Sequence, residues 1–158
     1  MKRALLLLAV GACAADAGTG VCTSTWYRPG FVLSIDGDSP FPDGSYVWTI
    51  VRDGETRSFV VDVAAGWGQC TADGCARDQL EPGVLIVISK DTAYVEDWNG
   101  GEDDRPSASR IEVQVARGGW TMGSWRYFPM YQGLEANGRG CGVTWQAQYA
   151  SSLTVPLR

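Results

Sequence analysis

Short runs of β-branched and aromatic residues, each closed by a turn signal, constrain this chain more than any other feature. The run Ser45–Val51 (Ser-Tyr-Val-Trp-Thr-Ile-Val) follows Pro42-Asp43-Gly44 and stops at Asp53-Gly54. Residue types that suit a pleated, half-buried surface dominate it. Ser58–Val63 begins four residues after Gly54, and Asp-Gly between two such runs predicts a tight hairpin whose central residues take positive φ. Phe31–Ile35 and Val84–Ile88 are further apolar runs, and Tyr94-Val95 is a shorter one. Ile111, Val113 and Val115 alternate with Glu112 and Gln114, the period-two pattern of a strand with one buried face. Gly118-Gly119 then turns into Trp120–Tyr127, and Leu153–Val155 is the last apolar run. Gly66–Pro82 and Asp97–Ser109 read as loops. No segment carries a helical period with caps. Many short strands at turn-punctuated intervals predict an all-β fold, an antiparallel β-sandwich of Ig-like architecture, built as one domain without internal repeats.

The first residues stand apart from this pattern. Lys2 and Arg3 precede the apolar run Ala4–Val10, and Gly11-Ala12-Cys13 follow. The run is too short to span a bilayer, which takes about 20 apolar residues. A basic end, a short apolar segment and small residues before a cleavage site form an export signal. Cys13 after Val10-Gly11-Ala12 makes the segment resemble the signal of bacterial lipoproteins. That resemblance implies cleavage before Cys13, lipid on its sulfur and a place in the cell envelope. Stable anchoring takes two hydrophobic signals, and lipoproteins as a class carry a diacylglycerol and usually an N-acyl chain. The expected organisation is a signal peptide over residues 1–12, a lipidated cysteine and tether over 13–21, and the sandwich over 22–158. Ala14 rather than an aspartate follows Cys13, which by the same resemblance favours the outer membrane or cell surface. Small residues also permit cuts after Ala15 or Ala17, which would release a plain secreted protein.

The chain has five cysteines. With Cys13 assigned to lipid, Cys22, Cys70, Cys75 and Cys141 remain, an even set in an oxidising compartment. The preferred pairing is Cys70–Cys75, closing a loop with an Asp73-Gly74 turn, and Cys22–Cys141, stapling the start of the domain to its end. A four-cysteine zinc site is the rival, although Cys22 and Cys141 lack the paired spacing such sites use.

The chain contains no histidine. That removes the Ser-His-Asp and Cys-His nucleophile arrangements and the main ligand of zinc and non-haem iron sites. Carboxylate chemistry remains conceivable, and Glu96, Glu112 and Asp62 lie on or near strands. Nothing in the pattern brings two of them together as glycoside hydrolysis requires. The expectation is therefore no enzyme, no catalytic residues, no cofactor and no metal. The acidic groups Asp36, Asp38 and Asp43, and Asp97, Asn99 and Glu102–Asp104, are weak calcium candidates that read more simply as solvated loops. Without Lys2 and Arg3, 11 of the 13 cations face 18 acids, a net of −7. That balance argues against nucleic acid as a partner.

Seven tryptophans and six tyrosines are many for 158 residues. Aromatics either fill small β-cores or, exposed, offer flat surfaces on which sugar rings stack. Simple alternation puts Trp120, Met122 and Ser124 on one face and Trp125 and Tyr127 on the other. Trp120, Trp125 and Tyr127 are the candidate ligand-binding residues. Finally, Tyr127–Tyr131 followed by Asn137-Gly138-Arg139-Gly140-Cys141-Gly142 resembles the end of small uncharacterised bacterial lipoproteins with an Ig-like β-sandwich domain. The resemblance implies a second cysteine soon after Cys141. Val143-Thr144-Trp145 stand there instead, a departure from that pattern which favours Cys22 as the partner. These features together predict an exported, lipid-anchored envelope protein with a non-catalytic structural or binding role. Its partners would be the membrane, through the anchor, and an envelope protein or glycan. The alternative is a carbohydrate-binding surface module using exposed aromatics.

Overall fold

The computed structural model describes residues 30–71, 75, 83–98, 106, 108–134 and 143–155. Ten strands follow in order: β1 (Gly30–Gly37), β2 (Gly44–Arg52), β3 (Glu55–Val63), β4 (Trp67–Gln69), β5 (Gly83–Ser89), β6 (Thr92–Trp98), β7 (Ile111–Arg117), β8 (Trp120–Tyr127), β9 (Gln132–Leu134) and β10 (Thr144–Leu153). They form a six-stranded sheet in the order β4-β5-β6-β1-β10-β9 and a four-stranded sheet in the order β3-β2-β7-β8. The two sheets pack as a β-sandwich, as the strand pattern predicts. β1 and β10 run parallel, with Gly30 opposite Gln146 and Gly37 opposite Leu153. The other ladders among the described residues are antiparallel.

Alternation builds the core. Tyr46, Trp48 and Ile50 of β2 point inward with Phe59, Val61 and Val63 of β3 and Ile111, Val113 and Val115 of β7. They meet Phe31, Leu33 and Ile35 of β1 and Val84, Ile86 and Ile88 of β5 from the opposite sheet. Each fully buried side chain of this size contributes about 1.5–3 kcal/mol of transfer free energy. The predicted hairpin at Asp53-Gly54 is present. Both residues have positive φ (47° and 96°), as a two-residue turn matched to strand twist requires.

β6 and β8 coincide with the runs at Tyr94-Val95 and Trp120–Tyr127, whereas β4, β9 and most of β10 fall where the sequence reads as loop or irregular chain. After β3 the chain turns at Ala65 and Gly66, both at positive φ, and Ala64 and Trp67 exchange backbone hydrogen bonds of 2.9 and 3.1 Å. This corner carries it into the six-stranded sheet as β4. Cys70 and Cys75 form the expected disulfide, with Cα atoms 6.0 Å apart. Cys13, Cys22 and Cys141 lie outside the described residues.

One bulge changes the reading of β8. Val115 pairs with Gly123 but Ala116 pairs with Thr121, so Met122 is the extra residue. A bulge of this kind shifts every following side chain to the other face. Trp120, opposite Arg117, therefore lies on the same side as Trp125 and Tyr127, not on the opposite side as unbroken alternation predicts.

A candidate binding groove on the six-stranded sheet

The three predicted aromatics do not form one surface. Trp120 sits beside the Gly118-Gly119 turn and is 81% exposed. Trp125 and Tyr127 pack against the core. The Tyr127 ring lies 5.3 Å from Phe31 and 4.7 Å from Tyr149, and its hydroxyl shares a 2.6 Å hydrogen bond with Ser151. Burial pushes the Tyr127 phenol above its ordinary pKa. The bulge brings Trp120 to the same side as Trp125 and Tyr127, but it stays exposed.

The acidic candidates are also dispersed. Asp38 accepts the Val155 backbone N–H at 2.9 Å, so its carboxylate fastens the chain after β10. Asp62 accepts from the Ser45 hydroxyl, and Glu112 pairs with Arg126 at 2.8 Å and Arg110 at 3.5 Å. Both lie on the outer face of the four-stranded sheet, whereas Glu96 is on the outer face of the other sheet and accepts the Tyr94 hydroxyl at 2.8 Å. Asn99 and Glu102–Asp104 lie outside the described residues. Among the described residues no three Cys, Asp or Glu side chains converge as metal ligands.

A different site emerges where β8 passes into β9. Tyr149, on the inner face of β10, reaches the connecting segment. Its hydroxyl donates to the Phe128 carbonyl at 3.2 Å and accepts the Met130 N–H at 3.3 Å. The ring is anchored from behind by Phe31, 5.6 Å away in a stacked arrangement. Phe128 and Met130 are thereby held in place while 66% and 77% exposed.

Beside this segment a groove of about 320 Å³ opens, lined by Met130, Gln132, Leu134, Gln146, Gln148 and Tyr149. Strand register explains the lining. Gln146 and Gln148 are two apart on β10 and share its outer face, because Ala147 and Leu153 belong to the core side. Gln132 is opposite Gln146, and Leu134 is opposite Thr144, so β9 adds its side chains to the same face. The Gln148 Nε2 donates to the Gln146 Oε1, which fixes the orientation of one carboxamide against the next. Gln146 is buried, while Gln132 and Gln148 are exposed. β9 can lie this close only because Gly133 has no side chain: a Cβ there would sit 2.7 Å from Val143 Cγ1 and 3.4 Å from the Trp145 ring.

Beneath this end of the sandwich lies an ion pair between the sheets. The Arg52 guanidinium, at the end of β2, forks onto the Asp97 carboxylate, with Nε 2.9 Å from Oδ2 and the second contact from Nη2 to Oδ1. The Asp97 side chain is 2% exposed and that of Arg52 21%. Tyr131 is next to the pair. Burial, with the Asp97 charge second, pushes its phenol up to about 12. Such a pair leaves no clear sequence signal, since Asp97 falls where the composition reads as polar loop.

Comparison of the chain with protein-family models, curated proteins and solved structures finds no match in any of the three.

Proposed function

We propose that this protein is a non-catalytic binding module of the bacterial cell envelope, exported by the segment Met1–Ala12 and tethered by lipid on Cys13. The observation that supports a binding role is the groove of Met130, Gln132, Leu134, Gln146, Gln148 and Tyr149. It is concave, mixes apolar surface with a few oriented polar groups as ligand sites do, and is backed by a packed aromatic cluster. Among the described residues its lining is carboxamides, Met130, Leu134 and Tyr149, a set suited to recognition. The support for the envelope is the lipoprotein-like start and the Cys70–Cys75 disulfide, which suits an oxidising compartment.

The test is the intact mass, without reduction, of the mature protein isolated from its own cells. A chain beginning at Cys13 and carrying acyl groups is the expected result. A lipid-free chain beginning at or beyond Ala14 would replace the anchored module with a secreted one.

A further inference from the structure

We infer that the groove between β9 and β10 is a saccharide subsite for an uncharged glycan chain, with Gln132, Gln146 and Gln148 hydrogen-bonding hydroxyl or acetamido groups and Met130 and Leu134 bearing against a sugar ring. This rests on the reading of the chain as a binding module and names its ligand class.

Three observations carry it. First, among the described residues the lining has no carboxylate, lysine or arginine, and Glu96 on the same face lies across β1, with Val32 between it and Gln148. A charged ligand would enter without a counter-charge, which in a partly desolvated site is costly. Second, every polar group in the lining apart from the Tyr149 hydroxyl is a carboxamide, which offers a donor pair and an acceptor in one plane. Vicinal hydroxyls, each donor and acceptor at once, match that arrangement, and the Gln148-to-Gln146 hydrogen bond pre-orients it. Third, Met130 and Leu134 supply apolar surface beside the amides, as the C–H face of a pyranose requires, and Tyr149 backs the groove from the inner side. The volume of about 320 Å³ is at the small end of the range for small-molecule pockets, roughly 300–1,000 Å³. A peptide is the less favoured ligand. Peptides added to sheets use the backbone of an edge strand, and β9 offers three residues among those described, while the groove lies on the face of the sheet.

The site is distinct from the Trp120, Trp125 and Tyr127 set, because Trp125 and Tyr127 are packed inside. The exposed variants Gln132→Ala and Gln148→Ala leave the core untouched.

The experiment titrates the mature protein, in detergent micelles, with chitotetraose and cellotetraose while recording side-chain amide resonances by NMR. Saturable shifts centred on Gln132, Gln146 and Gln148 are expected below about 10 mM sugar. Each glutamine variant should weaken binding by about fivefold, the loss of roughly one hydrogen bond, with an unchanged melting temperature. Absence of saturable shifts with either sugar overturns the proposal, as does binding that both variants leave intact. Saturable binding of tetra-alanine at the same amides, without sugar binding, overturns it in favour of a peptide. None of these outcomes touches the mass of the anchored chain, so the two readings fail separately.

Discussion

Replacing Arg52 by methionine should destabilise the protein far more than replacing a typical surface arginine. The Asp97 side chain is 2% exposed, and Arg52 supplies both of its charge-assisted contacts from the opposite sheet. Removing one partner of a buried pair leaves an uncompensated charge and costs about 3–5 kcal/mol. Arg52 is 21% exposed, so water reaches the vacated site and the lower end, about 3 kcal/mol, applies. The Tyr131 phenol next to the pair does not supply a charge to replace the guanidinium. Asp97→Asn should cost less, about 1–2 kcal/mol, because an amide still accepts one of the two hydrogen bonds and Arg52 can turn to solvent. The double variant Arg52→Met with Asp97→Leu removes both charges from a site whose cross-strand neighbours are Phe31, Val84 and Ile111, and apolar replacement of a buried pair is often neutral. It should therefore recover most of the loss, to within about 1 kcal/mol of the native protein. Urea unfolding of the four proteins, at constant slope, measures the cycle. Arg52→Met costing less than about 1 kcal/mol, with the double variant no better than the single, would refute the argument that the pair is desolvated and mutually dependent.

Four further outcomes follow from the same geometry. Tyr131 has its pKa raised from 10.0 to about 12, so its neutral form is favoured by folding; the associated stability is complete below pH 10 and drains as pH rises through 12, and Tyr131→Phe should remove that part of the alkaline limb in pH-dependent melting. Asp53 is lowered from 3.8 by hydrogen bonds from the Ser109 hydroxyl and N–H and the Arg110 N–H; its contribution is present above about pH 4 and lost as pH falls further, so Asp53→Asn should flatten the acid limb of the same curve. Gly68→Ala places a Cβ 2.6 Å from the Asp62 carbonyl oxygen, and backbone must move, at a cost of about 1–3 kcal/mol by thermal melting. Trp120→Ala should fall within about 0.5 kcal/mol of native stability, while Trp125→Ala, packed against the core, should cost about 2 kcal/mol or more; equal effects would contradict the placement of the two indoles.

The sandwich was legible wherever a strand buries one continuous apolar stripe. β2, β3, β5 and β7 do so, and the β2–β3 and β7–β8 turns carry Asp53-Gly54 and Gly118-Gly119, whose conformational demands are local. β10 was not legible. Its inner positions Ala147, Tyr149, Ser151 and Leu153 mix small and polar side chains, and its outer ones are Gln146, Gln148 and Ala150, so no hydrophobic period emerges. Its place is set by β1, which it joins in parallel over eight residue pairs, a contact between the two ends of the described chain that local pattern cannot announce. β4 and β9 have three residues each, too few for any period to register. The bulge at Met122 defeats alternation for another reason: one unpaired residue reverses the facing of its strand-mates, and Trp120 and Trp125 differ in number by five yet share a side.

The same physics explains why Trp120, Trp125 and Tyr127 do not share one surface. Residue type says that an indole or phenol buries a large area, not whether it is the core or a partner that covers it. Tyr149 does both. Its ring closes the Phe31–Tyr127 cluster while its hydroxyl holds the backbone of Phe128 and Met130. A signal for the groove does exist in the sequence, in Gln146-Ala147-Gln148. Two carboxamides spaced by one residue share a strand face, and a small residue between them, turned to the core, lets the strand pack closely. That inference requires knowing first that 144–153 is a strand, which only the partnership with β1 supplies. The groove is thus a product of topology. Parallel pairing to β1 orients β10, β10 positions β9 through Gly133, and the carboxamides meet because three strands separated in sequence share one outer face.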